Sequence, residues 1–127
     1  MSTLLKIYRD YLACLNDQAW DDLPNFIDDK VTYNDQEIGL EGYRAMLEQN
    51  YRDIPDLYFE AQLLVADATL VASRLQFNCS PIGMFMDLPI NGRRVHFSEN
   101  VFYQIYNNKI TKVWSVIDKA ALEKQLS

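Results

Sequence analysis

The stretch HFSENVFYQIYNNKITKVWSVID, residues 96–118, reads as two β-strands joined by Asn107-Asn108. Asn tolerates the positive φ that a two-residue type I′ hairpin needs. With those residues as the loop, Tyr106 faces Lys109 and Ile105 faces Ile110. Tyr103 then faces Lys112, Val101 faces Trp114, Glu99 faces Val116 and Phe97 faces Asp118. Side chains alternate along a strand, so the pairs from Ile105–Ile110 onward share one face. Glu99 and Asp118 become diagonal neighbours, roughly 5–8 Å apart at Cβ. The opposite face carries His96, Ser98, Asn100, Phe102, Gln104 and Tyr106 with Thr111, Val113, Ser115 and Ile117. It is mixed, as a helix-packed or dimer-forming surface would be. The register depends on loop length, because a one-residue slip moves one strand's acid to the other face.

Outward from the hairpin, the pattern predicts helices first and long strands after. An apolar stripe of Leu4, Leu5, Ile7, Tyr8, Tyr11, Leu12 and Leu15 predicts a helix from about Thr3 to Asp17, with Ser2 or Thr3 as its cap. A short helix is expected from Asp17 or Gln18 to Ile27, split or started near Pro24. Asp28-Asp29-Lys30 reads as a turn and Val31 to Asn34 as a short strand. Leu40, Tyr43, Leu47 and Tyr51 predict a helix from Gly39 to about Tyr51. Strands follow over Leu57–Ala66 and Thr69–Ser80, joined by a tight turn at Asp67-Ala68. Pro81 to Gly92 is a loop, but Ile82, Met84, Phe85, Met86 and Leu88 make it too apolar to stand in water. It is expected to fold over something, as a lid or as a dimer contact. After the hairpin strands Arg93–Tyr106 and Lys109–Asp118, a terminal helix runs from Lys119 to Leu126.

Composition narrows the function classes. The 127 residues suit a single domain spanning 1–127, with no internal repeat or linker. Nearly half the residues are apolar, enough for a real core. A formal charge of −6 argues against nucleic acid, whose phosphates call for clustered Lys and Arg. No apolar run approaches a membrane span and the N-terminus lacks a signal-peptide pattern, so a cytoplasmic location is expected. Cys14 and Cys79 have no metal-site spacing and read as reduced, buried thiols, with a disulfide between them left open. Eight Tyr is a high count for residues that suit pockets and interfaces.

Three helices and a small strand followed by long antiparallel strands predict an α+β fold. The curved antiparallel or mixed sheet would wrap around the N-terminal helices as a cone, leaving a pocket on its concave side. At this point the chain resembles the SnoaL-like polyketide cyclase and ester cyclase family of the nuclear transport factor 2-like (cystatin-like) superfamily. Lys109-Ile110 after the turn, Trp114, Asp118 and Gln125-Leu126 carry the resemblance. Leu40-Glu41-Gly42-Tyr43, Pro81-Ile82-Gly83 and Asn91-Gly92-Arg93 add to it. The resemblance implies a homodimer and an intramolecular aldol closure without metal or cofactor. It also implies that Asp118 is the general acid/base. The chain departs from the family pattern at Asn108, where Gly is usual. Its only His, His96, falls on the face opposite the acids, where the family places a His beside its Asp.

The chemistry implied is proton transfer on a small apolar or aromatic carbonyl compound. An apolar wall raises a carboxyl pKa, and a neighbouring carboxylate raises one of the pair further. Asp118 and Glu99 are thus the expected catalytic residues. Trp114, Tyr103, Phe97 and Val101 would hold the substrate, with Trp20, Tyr33, Asn34 and Tyr51 at the mouth. Plainer roles stand beside these. Asp118 precedes a helix and fits an N-cap, Glu99 fits an ion pair with Arg74 or Lys112, and Trp114 fits a core position. The alternative function is a non-catalytic small-molecule-binding or dimerisation module.

Overall fold

A computed structural model describes residues 3–127. Ser2, one of the two expected caps, lies outside the described residues. Helix α1 (Thr3–Asn16) buries Tyr8, Tyr11, Leu12, Cys14 and Leu15, close to the expected stripe. A 3₁₀ turn over Trp20–Asn25 replaces the expected short helix and accommodates Pro24. Strand β1 (Ile27–Tyr33) then begins four residues earlier than the sequence pattern predicts. Asp28 does make the local bond of a turn residue, its carboxylate accepting from the Lys30 amide at 2.9 Å. That bond sits inside the strand, where the register of β1 is irregular. Asn34 is not strand. With Asp35 it turns the chain at positive φ into the two-residue β2 (Gln36–Glu37).

Helix α2 (Gly39–Asp53) follows, then β3 (Glu60–Ala66) and β4 (Leu70–Cys79). The apolar loop forms a tiny hairpin of β5 (Met84–Phe85) and β6 (Leu88–Pro89). Strands β7 (Val95–Tyr106) and β8 (Lys109–Ile117) and helix α3 (Lys119–Leu126) complete the chain. The main sheet has six strands in the order β2-β1-β8-β7-β4-β3. It is antiparallel except where β1 runs parallel to β8. The curved, mixed sheet packs one face against the helices, as an α+β fold of this kind requires. Ile27, Val31, Val71, Ile90, Ile110 and Leu122 are fully buried in that core. Each contributes about 1.5–3 kcal/mol by leaving water. Cys14 and Cys79 are buried free thiols.

The hairpin turn is as expected: Asn107 and Asn108 have φ of 51° and 64°, with Tyr106 opposite Lys109 and Ile105 opposite Ile110. The register then changes. Gln104 pairs with Lys112, Tyr103 with Val113, Val101 with Ser115 and Glu99 with Ile117. Thr111 is an extra residue, a β-bulge whose hydroxyl donates to the Gln104 carbonyl at 3.2 Å. Beyond it every β8 side chain lies on the face opposite to the one expected. Val113, Ser115 and Ile117 now share the concave face with Phe97, Glu99, Val101 and Tyr103, while Trp114 and Val116 point outward. The α3 helix lies along the end of β7. There the Gln125 side chain accepts from the His96 amide at 2.8 Å and donates to its carbonyl at 2.5 Å. One side-chain amide thereby continues the ladder past the end of β8.

Candidate active site

Among the described residues, Glu99 is the only carboxylate lining the cavity between the concave sheet face and α2. The Ser115 hydroxyl, brought inside by the bulge, donates to one carboxylate oxygen of Glu99. No ion pair reaches Glu99 among the described residues. Arg74, one expected partner, points outward and donates to Gln62 and Asn100, and Lys112 is exposed. Burial raises the Glu99 pKa above the ordinary carboxylate value, and the Ser115 bond opposes part of that shift. Tyr33, at the end of β1, lines the same cavity. Its pKa is raised chiefly by burial, with Ser115 opposing and the Glu99 charge adding.

The cavity has two chambers that share Tyr33, Met46, Asn50, Phe59 and Glu99. The outer one, about 110 Å³, is closed by Phe97, Ile117 and Phe85 of the small hairpin. Phe85 sits 5.4 Å from Phe97 between ring centroids, so the apolar loop folds over the cavity. The inner one, about 40 Å³, is floored by Tyr11, Tyr43 and Tyr103. Asn50 enters from α2, and its side-chain amide has no partner among the described residues. The sequence signal for Asn50 was present, since it continues the apolar spacing of Tyr43, Met46 and Leu47 along α2. Ser115 carried no such signal, because only the bulge turns it inward.

Of the expected substrate-pocket residues, Tyr33, Phe97, Val101 and Tyr103 line the chambers. Trp114 does not. It lies on the outer face opposite Phe102, and its indole N–H donates to the Asp35 carboxylate at 3.0 Å. Asn34 forms a turn and is exposed, its side-chain oxygen accepting from the Ser115 amide at 2.8 Å. Trp20 packs edge-on against Tyr51, and the Tyr51 hydroxyl donates to the Leu15 carbonyl, which makes both part of the wall behind the cavity. Asp118 is exposed and separated from Glu99 by the slipped register. Its carboxylate caps α3 by accepting from the Ala121 amide at 3.1 Å. The groove beside it, along Ala121 and Lys124, is open to solvent.

The comparisons agree with this architecture. The family description "SnoaL-like polyketide cyclase" matches residues 5–126. The chain belongs to the SnoaL-like polyketide cyclase family. A SnoaL-like polyketide cyclase from Agrobacterium tumefaciens str. C58 is 56% identical, superposes with a TM-score of 0.98, and is matched over 100% of both chains. TsrD from Streptomyces laurentii is 20% identical with a TM-score of 0.84, covering 100% of this chain and 98% of its own. IdmH from Streptomyces antibioticus is 17% identical with a TM-score of 0.84, covering 98% and 99%. At such identities the last two show the shared fold. No curated protein matches the sequence. Membership in the SnoaL-like family supports a cyclase or isomerase type of function. No helix among the described residues is long and apolar enough to cross a membrane.

Two predictions separate the carboxylates. Asp118→Ala is expected to lower unfolding stability in urea by about 1 kcal/mol, whereas Asp118→Asn, which keeps a capping oxygen, leaves it nearly unchanged. For Glu99 the readout is pH. Its folded pKa lies above the unfolded value, so the folded chain binds more protons and stability falls as pH rises from one value through the other. Glu99→Gln removes that component, and its melting temperature relative to the parent is expected to climb as pH rises from acid to neutral. A difference independent of pH would contradict the assignment.

Proposed function

We propose that this SnoaL-like protein is a cofactor-free proton-transfer enzyme whose general base is Glu99. The carrying observation is a lone carboxylate, desolvated and hydrogen-bonded to Ser115, facing the cavity under the small hairpin. A raised pKa brings a carboxylate nearer to the neutral range where it can both take and return a proton. Asn50 and Tyr33 offer polar groups to orient the ligand, and Phe97, Phe77 and Ile117 offer apolar contact. The space is comparable to the ~150 Å³ that admits benzene. The reading is therefore a small apolar or aromatic carbonyl compound, with cyclisation or isomerisation through its α-carbon. The general acid/base role moves from Asp118, which the resemblance implied, to Glu99.

The test needs no knowledge of the natural substrate. Small ketones are incubated in heavy water and α-deuterium uptake is followed by NMR. The parent protein is expected to accelerate uptake, and Glu99→Gln to lose about 10²–10⁴-fold of that acceleration. Asp118→Asn is expected to retain it. Ligand binding without accelerated exchange would instead support a small-molecule-binding module.

A homodimer through the outer sheet face belongs to the same proposal. Val65, Ala72, Phe102 and Trp114 form one row across four strands, and in the next row Leu63 and Val116 flank Arg74 and Asn100. Phe102 is 54% exposed and Val116 69%, on a face that no helix covers. Solvated sheet faces are ordinarily polar, and an exposed apolar row with a mixed row beside it marks an interface. In sedimentation experiments the parent is expected to behave as a dimer and Phe102→Glu as a monomer. A monomeric parent would sink the dimer.

A further inference from the structure

The inner chamber is lined by phenols where plain hydrocarbon would pack as well. The hydroxyls of Tyr11 and Tyr43 are 2.6 Å apart, and Tyr8 donates to the Tyr103 hydroxyl at 3.3 Å. Tyr11, Tyr43 and Tyr103 face the same small space as Glu99. Phe at these positions would fill similar volume with no polar atom to satisfy. The proton count is informative. Two hydroxyls joined by one O–H···O bond use one of their two protons. The second proton of the Tyr11–Tyr43 pair has no acceptor among the described residues. Burial raises both phenols well above the ordinary tyrosine pKa, so they hold their protons at neutral pH and act as donors.

Size limits what that donor can meet. The inner chamber, about 40 Å³, is little larger than the ~30 Å³ share of one water in the liquid. It takes a single oxygen-bearing group and no ring. The outer chamber, about 110 Å³, takes the rest of a small molecule. Glu99 lines both. A ligand with its body in the outer chamber and its oxygen in the inner one lays the carbon between them against the carboxylate.

We infer that the Tyr11–Tyr43 pair is the oxyanion-binding end of the cavity, donating to the carbonyl oxygen of a small ketone or ester as its enolate forms. This rests on the reading of Glu99 as base. The carboxylate removes a proton from the α-carbon, and the C–H electron pair becomes the new C=C bond. The carbonyl π pair moves to oxygen, where the phenol proton stabilises it. The protonated Glu99 returns the proton to carbon, or the enolate carbon attacks a second carbonyl in the same molecule, the first carbonyl re-forms, and the new alkoxide takes the proton from Glu99. No oxidant or other co-reactant is consumed.

Pentafluorophenolate mimics an enolate in charge and planarity, and pentafluorotoluene matches its shape without the anionic oxygen. Binding of both is measured by fluorine NMR to Glu99→Gln protein, which lacks the competing charge. It is measured again after adding Tyr11→Phe or Tyr43→Phe. The expected result is a loss of phenolate affinity of about tenfold or more for each tyrosine variant, with pentafluorotoluene affinity unchanged. Phenolate affinity that survives both substitutions would overturn the inference, as would an equal loss of both ligands or no binding of either to the Glu99→Gln parent. The two readings fail separately. Full α-exchange by Glu99→Gln removes Glu99 as base while the phenolate comparison still decides the oxyanion site. Lost exchange with unaltered phenolate affinity removes the oxyanion site alone.

Discussion

One extra residue in β8, Thr111, decides which chemistry faces the inside of this protein. Strand side chains have a period of two, so a single bulged residue exchanges the faces of everything beyond it. Without the bulge, Trp114 and Val116 would fill the concave side and Ser115 would be outside. With it, Ser115 meets Glu99 and the bulky indole is removed to the convex face. The cavity depends on the same substitution. A Ser beside Glu99 leaves room that a Trp would occupy, and it supplies a hydroxyl that a buried carboxylate needs. The bulge is held locally, by the Thr111 hydroxyl on the Gln104 carbonyl.

The interior around Glu99 solves an electrostatic problem with neutral groups. A buried carboxylate beside Arg or Lys would be fixed in its charged form, with its pKa lowered and its basicity reduced. Here the contacts are a serine hydroxyl and a set of phenols whose own pKa values are raised by burial and by the Glu99 charge. Such groups solvate a charge while it exists and tolerate its disappearance. This suits a residue that gains and loses a proton in each cycle better than it suits a permanent structural ion pair.

Much of the fold was legible because each signal was local and repeated. The stripe on α1, the alternation of β7 and the Asn-Asn turn each specify one arrangement, and the structure keeps all three. The β8 strand was different. Ile110, Trp114 and Val116 on one parity and Val113 and Ile117 on the other make both of its faces apolar. Its register therefore rested on counting from the turn, and counting fails at a bulge. Glu99 was placed correctly because it belongs to β7, whose alternation is clean. Trp114 and Asp118 were misplaced together, by the same single residue. Asn34-Asp35 was missed as a turn because two residues of β2 are too short to show alternation.

The two features that carry the family resemblance at the C-terminus, Asp118 and Gln125, are explained by the junction they build. Strand β8 ends at Ile117, opposite Glu99 and four residues short of the start of β7, and α3 must turn back over that unpaired edge. Asp118 sets the turn: its amide donates to the Ser98 carbonyl and its carboxylate caps the helix. Gln125, two turns later, reaches the His96 backbone and satisfies both of its polar groups. Leu122 is fully buried between them. A capping oxygen at 118 and a side-chain amide at 125 thus help α3 to close the sheet edge, whatever the cavity does. Motif residues with a role of this kind identify the fold, and a fold does not by itself fix a reaction.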